Sequence, residues 1–327
     1  MKAIVIEKTG GREVLMIKDI TEPATPKGSV KIKVKAFGLN RAEMFFRMGS
    51  YGKLSVPRVP GIDAVGEIIE DGTATFKKGQ KVITMMGGMM MARDGSYAEY
   101  VTAPVNNVYA VNVEISWEEL ATLPQAYGTV WVALDHSLKI KAGETLLVRG
   151  ASSSVGLAAM AYAKSKGLTV IATTRNKANI HRLKSFGADY VVIDNGIISE
   201  KVKEIYPQGV DKALEIVGGT TVKDTILAIK PYGEITVIGL LGGSLTIENL
   251  HMMAELGDGV KLSFSKSGHL GTELIPLDKA PFNGIAKDII NGRWPSLLTK
   301  TFQFGQIKEA HKLMEQNEAV GKIVVIV

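Results

Sequence analysis

A turn of small residues near the middle of the 327-residue chain carries the clearest chemical signal. It follows the mostly apolar segment 145–149 and leads into an alanine-rich segment, so the pattern predicts a buried strand, a tight turn and a helix. The first N–H groups of a helix lack intrahelical acceptors and lie at the positive end of its dipole, where the pyrophosphate of a dinucleotide can bind. The residues predicted to bind it are Gly150, Ser152, Ser153, Ser154, Val155 and Gly156. Serines stand where the usual fingerprint has a further glycine, so a plain strand-to-helix turn remains the alternative.

The next predicted strand ends in a polar and basic segment that contains Thr174, Arg175 and Lys177. In dinucleotide-binding folds this strand ends beside the adenosine ribose, where an acidic residue binds the 2′-hydroxyl of NAD. A hydroxyl and two cations suit a 2′-phosphate instead. The segment therefore predicts NADPH as the cofactor, and an ordinary solvated loop is the alternative.

Composition excludes several classes of protein. The chain has no cysteine, which excludes disulfides, thiolate catalysis and cysteine-ligated zinc. Its formal net charge of +6 is not concentrated in a long basic run, so the pattern does not indicate nucleic-acid binding. The amino-terminal segment reaches an acid, Glu7, too early for a signal peptide, and no apolar run is long enough to span a membrane. We therefore expect a cytoplasmic protein.

Two kinds of hydrophobic pattern divide the chain into domains. The first part contains short alternating segments, of which 30–36 is the clearest, and these predict an antiparallel, β-rich domain. Strands then alternate with helical segments, which predicts an α/β fold with a doubly wound parallel sheet of the Rossmann type. An amphipathic helix at 307–315 and a strand at 322–327 follow, and we expect that strand to return to the first domain.

Short blocks along the chain resemble the zinc-independent quinone oxidoreductases, the zeta-crystallin-like family of the medium-chain dehydrogenase/reductase superfamily. Besides the nucleotide turn, they are GLNRAE at 38–43, RMGSY at 47–51, PGIDAVG at 60–66, GSYAEY at 95–100, TVWVAL at 129–134 and GKIV at 321–324. The resemblance covers essentially the whole length. It implies a GroES-like catalytic domain built from residues 1–122 and 265–327, with a Rossmann NADPH-binding domain, 123–264, inserted between them.

The same resemblance shows where a catalytic zinc is not expected. Zinc alcohol dehydrogenases of this superfamily have a cysteine where this chain has Asn40, and a His-Glu pair where it has Ile62 and Asp63. The five histidines are scattered without the spacing of metal ligands. Without a Lewis acid, reduction of an electrophilic acceptor is the natural chemistry. The predicted reaction is hydride transfer from NADPH to a quinone, or to an α,β-unsaturated carbonyl, in a cleft between the domains.

The catalytic residues implied by the resemblance are Asn40, Tyr51 and Thr129. The first two border the nicotinamide and the substrate, and either the Asn40 amide or the Tyr51 phenol could donate a hydrogen bond to the carbonyl oxygen where negative charge develops. Thr129 approaches the nicotinamide. Asn40 could instead cap the following helical turn, and Tyr51 could be an exposed loop aromatic. Asp63 is interpreted as a buried structural acid rather than a general base.

Further cofactor contacts are expected where the fifth and sixth strands of the parallel sheet end, at Ile238, Gly239, Leu240 and Phe264. Each could equally be only a turn residue. The methionine cluster at 85–91 could line the mouth of an apolar substrate site, or pack against the neighbouring core or a partner subunit.

Relatives in this superfamily also suggest a homodimer, in which the sixth strand, 260–264, pairs with its symmetry mate. Two other functions remain open. One is an enal or enone double-bond reductase, and the other is a non-enzymatic protein that binds nucleotide or RNA.

Overall fold

The computed structural model describes residues 1–52, 56–244 and 246–327. The chain forms two compact units, one made of Met1–Gly128 with Ser267–Val327 and the other of Thr129–Lys266. The domain boundaries expected at 122/123 and 264/265 lie slightly earlier in the chain than the boundaries of these units.

The first unit is β-rich. Its strands are β1 (Lys2–Val5), β2 (Met16–Asp19), β3 (Ser29–Gly38), β4 (Asp63–Asp71), β5 (Lys81–Met85), β6 (Tyr100–Pro104), β7 (Val108–Ala110), β14 (Leu298–Gln303) and β15 (Lys322–Ile326). Its helices are α1 (Arg41–Arg47), α2 (Trp117–Leu120), α9 (Phe282–Ile290) and α10 (Ile307–Glu315), and α3 (Pro124–Trp131) begins in this unit. Strands from both ends of the chain share one sheet in the order β14-β15-β3-β4-β5-β7, with β6 also paired to β3. The predicted return of the last strand to the first domain is therefore confirmed.

The long strand β3 shows why alternating apolar and polar residues predict a strand with one buried face. Val30, Ile32 and Val34 are buried, whereas Lys33 between them is exposed. One face of the strand lies on the core of the first unit and the other face meets solvent. The same core takes in two methionines of the 85–91 cluster, Met89 and Met90, each only 2% exposed. Much of the methionine cluster thus packs against a core, which agrees with the second of the two interpretations given for it.

The second unit contains a parallel sheet flanked by helices. Its strands are β8 (Thr145–Arg149), β9 (Thr169–Thr174), β10 (Tyr190–Ile193), β11 (Val210–Glu215), β12 (Ile229–Val237) and β13 (Lys261–Phe264). The helices are α4 (Ser154–Ser165), α5 (Ile180–Ser185), α6 (Ser199–Ile205), α7 (Gly219–Leu227) and α8 (Met252–Glu255), with a π-helical turn at Val132–Ser137. In the described residues all pairings of this sheet are parallel, in the order β10-β9-β8-β11-β12-β13. This is the doubly wound Rossmann arrangement that the sequence predicts.

The strand order reverses between β8 and β11. In open α/β sheets, ligands bind outside the carboxyl ends of the strands at such a switch point. Strand β8 is buried along its whole length because helices cover both faces of the sheet. The turn that follows β8 therefore lies where a dinucleotide would bind. Within the described residues, no helix is both long enough and apolar enough to cross a membrane.

Candidate active site

The turn between β8 and α4 has the geometry of a phosphate-binding turn. Gly150 has φ of +87°, a left-handed conformation that favours glycine. Ser153 is the N-cap of α4, because its hydroxyl oxygen accepts a hydrogen bond from the Gly156 N–H over 3.1 Å. The same hydroxyl donates to the Gly150 carbonyl over 2.9 Å. Both hydrogen-bonding directions of Ser153 are thus used within the turn itself.

Gly156 and the alanines of α4 allow the helix to lie against the strand. A Cβ atom at Gly156 would come within 2.6 Å of the Ala151 Cα and carbonyl oxygen, so a side chain there would force the turn open. The N–H groups of Ser154 and Val155 donate no hydrogen bond to any residue that the structure describes. These two free donors at the start of a twelve-residue helix fit an anionic phosphate.

The basic segment after β9 lies at the adjacent strand end. Arg175 and Lys177 are exposed, and neither forms an ion pair with any residue that the structure describes. The Thr174 hydroxyl is used locally, since it accepts hydrogen bonds from the Asn176 N–H at 3.2 Å and from the Asn179 side-chain amide at 3.3 Å. The two cations are therefore available to a ligand, whereas Thr174 shapes the turn that carries them.

The segment after β12 packs closely across neighbouring strand ends. The Ile238 N–H donates to the Glu215 carbonyl over 2.9 Å, and a Cβ at Gly239 would lie 2.6 Å from the Ile216 carbonyl oxygen. Leu240 is half-buried, and Phe264, at the end of β13, is 46% exposed. Gly239 thus has a packing role independent of any cofactor, and the other three positions remain predicted contacts.

A buried polar cluster occupies the first unit where α1, β4 and β15 meet. We call the four side chains of Asn40, Glu43, Asp63 and Lys322 the acid–lysine cluster. The Asn40 side-chain amide donates to Glu43 Oε1 at 3.0 Å and to Asp63 Oδ2 at 3.2 Å. The Asn40 carbonyl oxygen accepts a hydrogen bond from Lys322 Nζ at 2.5 Å, and the ammonium lies 3.9 Å from Asp63 Oδ2. Glu43 and Asp63 are fully buried and Lys322 is 1% exposed.

The electrostatics of this cluster follow from its burial. Desolvation and the nearby Asp63 charge raise the pKa of Glu43 to about 8, although hydrogen bonds from Asn40 and the charge of Lys322 oppose the shift. Burial also raises the pKa of Asp63, against the opposing effect of the Lys322 ammonium. Two buried acids thus share one cation, and the pKa of each lies above the usual range of a carboxyl group.

The predicted catalytic residues differ in how free they are to contact a substrate. The Asn40 amide is directed inward to the acid–lysine cluster, so donation from it to a substrate would require these bonds to rearrange. The capping relation of Asn40 is carried by Glu43, whose carboxylate accepts from the Asn40 backbone N–H over 2.6 Å. Tyr51 follows α1 and is 45% exposed, and burial with the Glu43 charge raises the pKa of its phenol. Thr129 is buried in α3.

Sequence reasoning did not single out Lys322 or Glu43 as members of the site, although both lie in blocks of the family resemblance. Two signals were present, because Asn40 and Glu43 have the spacing of a capping box, and Lys322 is a charged residue at the start of an apolar strand. Among the described residues, no three histidine, cysteine, aspartate or glutamate side chains are grouped so that they could hold a metal ion.

Comparison with known proteins agrees with this architecture. A family model described as "Alcohol dehydrogenase GroES-like domain" matches residues 26–113, and one described as "Zinc-binding dehydrogenase" matches residues 154–268. The quinone oxidoreductase of Mus musculus is 31% identical over 281 residues, which cover 82% of this chain and 81% of the relative. The quinone oxidoreductase of Homo sapiens is 29% identical over 335 residues, which cover 100% of this chain and 98% of the relative.

A solved structure extends the comparison to the fold. The Escherichia coli quinone oxidoreductase, crystallised with NADPH, superposes with a TM-score of 0.89 at 23% identity and with full coverage of both chains. At that identity the likeness concerns the fold, whereas the Mus musculus relative is similar enough in sequence to show the family. The chain belongs to the zinc-independent quinone oxidoreductase family of the medium-chain dehydrogenase/reductase superfamily.

Proposed function

We propose that this chain is an NADPH-dependent oxidoreductase that reduces a quinone. The observation that carries the cofactor assignment is the pair of exposed cations, Arg175 and Lys177, without an ion-pair partner in the described residues and next to a turn with free N–H donors. Their position after β9 is where a Rossmann fold meets the adenosine ribose. Membership of the quinone oxidoreductase family supports the choice of acceptor.

In this proposal, residues at two adjacent strand ends bind different parts of NADPH. The N–H groups of Ser154 and Val155 bind the pyrophosphate at the start of α4. Arg175 and Lys177 bind the 2′-phosphate through charge-assisted hydrogen bonds. NADPH, when bound, supplies the hydride that reduces the acceptor, and the two-electron reduction of a quinone to a hydroquinone also consumes one proton.

Tyr51 is assigned as the donor to the acceptor's carbonyl oxygen. A phenol is protonated at neutral pH, the raised pKa of Tyr51 favours the same state, and the partial exposure of the side chain leaves it accessible. A well-aimed donor of this kind is worth about 2.7–4 kcal/mol in transition-state stabilisation. Asn40 is assigned as the residue that fixes the local backbone and the cluster geometry, and Thr129 as a residue that approaches the nicotinamide.

The experiment that tests the function is a fluorescence titration with NADPH and with NADH, followed by single-turnover oxidation with 1,4-benzoquinone or 9,10-phenanthrenequinone. The double variant Arg175→Ala/Lys177→Ala should lose at least ~tenfold in NADPH affinity, since each hydrogen bond to a charged group contributes about 1.5–3 kcal/mol. Its NADH affinity should change little. Lys184→Ala, which removes an exposed lysine from α5 nearby in the chain, is the matched control.

Each outcome assigns a function. Tight NADPH binding with rapid quinone-dependent oxidation supports the proposal. NADPH binding without oxidation by quinones would transfer the assignment to an enal or enone reductase. Absence of binding by either nucleotide would leave the fold with a non-enzymatic role.

We also propose that the protein is a homodimer formed through β13. This strand pairs with β12 on one side and with none of the described strands on the other. Such an edge can pair with a second copy across a two-fold axis. Size-exclusion chromatography with light scattering should give a dimer at micromolar concentration, and a monomer would contradict the proposal.

A further inference from the structure

Arg149 is a fully buried cation that directly precedes the nucleotide turn. It ends β8, and its side chain has no exposed surface. Its guanidinium donates to Asp194 through two nitrogens at 3.0 and 3.1 Å, to Asp224 at 2.8 Å and to the Thr225 hydroxyl at 3.0 Å. It also donates to the carbonyls of Gly196 and Thr221, at 2.9 and 3.0 Å. All three guanidinium nitrogens are thus hydrogen-bonded.

One branch of this network returns to the nucleotide turn through β9. The Gly150 N–H donates to the Thr173 hydroxyl over 3.3 Å, and that hydroxyl donates to Asp194 Oδ2 over 3.4 Å. Asp194, just after β10, is the carboxylate that accepts the bidentate hydrogen bonds of Arg149. Hydrogen bonds therefore connect Gly150, the first residue of the turn, to Thr173 in β9 and through it to Asp194 after β10. Asp194 in turn binds Arg149.

A second branch reaches the end of β11. The Thr225 hydroxyl, which accepts from Arg149, donates to Glu215 Oε2 over 2.6 Å. The other carboxylate oxygen of Glu215 accepts the N–H groups of Val217 at 2.8 Å and Gly218 at 3.2 Å. Glu215 and Arg149 are also partners in the register of β11 and β8. One guanidinium thus connects the carboxyl ends of the strands on both sides of the switch point.

Net stability does not explain why such a network of buried charges is present. Burying charges costs desolvation energy, and buried ion pairs often contribute little net stability compared with apolar residues of similar size. A buried polar network in which the donors are hydrogen-bonded does, however, make its surroundings rigid. A site held in its binding geometry before the ligand arrives avoids the cost of ordering its loops on binding.

We propose that Arg149 is a positioning residue for the cofactor, which preorganises the strand-end loops that bind NADPH without touching the ligand itself. The inference rests on the proposed function, because it assumes that these loops bind a dinucleotide. It predicts that damage to the network weakens cofactor binding specifically, over and above any loss of stability.

The test compares two threonines that differ in position but undergo the same change. Thr225→Val removes the hydroxyl between Arg149 and Glu215 while it keeps the shape of the side chain. Thr145→Val is the control, since Thr145 is also buried, lies on the same strand as Arg149, and bonds to Asp211 at the opposite end of the sheet. Arg149→Lys keeps the charge but loses the planar fork.

Arg149→Lys and Thr225→Val should each raise the dissociation constant for NADPH by about tenfold, which corresponds to 1.4 kcal/mol. Turnover with quinone at saturating NADPH should stay near the wild-type value, so the change appears in the KM for NADPH and not in kcat. Thr145→Val should lower the thermal midpoint but leave the NADPH affinity unchanged.

Two results would overturn the inference. One is wild-type NADPH affinity in both Arg149→Lys and Thr225→Val. The other is an equal loss of affinity in Thr225→Val and Thr145→Val, which would show a global effect. Failure of the wild-type protein to bind NADPH is a different result, because it rejects the proposed function itself. If Arg149→Lys does not fold, the two valine variants still decide the question.

Discussion

Lys322 and Asn40 lie 282 positions apart in the chain, and the lysine ammonium donates to the asparagine side-chain oxygen over 2.5 Å. The bond joins the last strand, β15, to the residue that precedes α1. It fixes the orientation of the Asn40 amide, whose N–H groups then point to Glu43 and Asp63. The carboxyl-terminal strand therefore completes a polar cluster that begins in the amino-terminal part of the chain.

Replacement of this lysine should be strongly destabilising. Lys322→Met removes the cation of the acid–lysine cluster and leaves the buried Asp63 carboxyl without its charged partner, a loss that costs about 3–5 kcal/mol in comparable buried pairs. Urea unfolding measures the loss. Lys300→Met, on the neighbouring strand β14, removes an exposed lysine and should change stability by less than about 0.5 kcal/mol. Similar unfolding midpoints for both variants would show that the ammonium contributes little.

Glu43 should make the protein less stable as the pH rises. Because its pKa is raised from 4.5 to about 8, the folded state keeps this proton over a range where the unfolded chain has lost it. The free energy of unfolding should therefore fall between about pH 4.5 and pH 8, by at most about 1.4 kcal/mol per pH unit.

The isosteric variant Glu43→Gln tests this pH dependence. Urea unfolding at several pH values between 5 and 8 should give a flatter profile for the variant than for the wild type. Some slope should remain, because burial also raises the pKa of Asp63. An unchanged slope would mean that Glu43 is ionised throughout this range.

His311 should make the protein less stable as the pH falls, which is the opposite of the effect of Glu43. Burial and the Arg47 guanidinium lower the pKa of His311 from 6.5 to about 3, and its Nε2 lies 3.2 Å from the Tyr97 hydroxyl. Below about pH 6.5 the unfolded chain takes up a proton that the folded state does not, so stability falls as the pH decreases towards 3. His311→Gln should flatten this acid limb in denaturant titrations, whereas His181→Gln, at an exposed position, should leave it as in the wild type.

Much of the fold could be predicted from hydrophobic pattern because the signal is local. The alternation along β3 and the strand–helix alternation after residue 145 each depend on neighbours within a few residues. Helix α10 has the predicted bounds for the same reason, since its apolar stripe recurs at helical spacing.

The polar networks could not be predicted in this way. Lys322 reaches Asn40, and Arg149 reaches Asp194 and Thr225, only because segments far apart in the sequence come together in the fold. Spacing in the sequence carries no information about such contacts. A buried charge is recognised only as an exception within an apolar segment, and the exception does not identify its partner.

The use of the Ser153 hydroxyl within its own turn gives a final prediction about the cofactor site. Its oxygen accepts from the Gly156 N–H and its proton is directed to the Gly150 carbonyl, so the side chain caps α4 and is not directed towards a phosphate. Ser153→Ala should cost about 1 kcal/mol of stability, and Ser153→Gly only a few tenths, as expected for N-cap positions. Thermal unfolding of the two variants measures this order.

Neither variant should lower NADPH affinity by tenfold, because the donors assigned to the pyrophosphate are the backbone N–H groups of Ser154 and Val155. A titration of each variant with NADPH checks this directly. A loss of more than about 1.4 kcal/mol in Ser153→Gly, which retains the backbone of the turn, would show that the hydroxyl leaves its capping bonds and becomes a phosphate ligand when the cofactor binds. An equal affinity in Ser153→Gly and wild type, together with the expected loss of stability in Ser153→Ala, would separate the capping role of this serine from cofactor recognition.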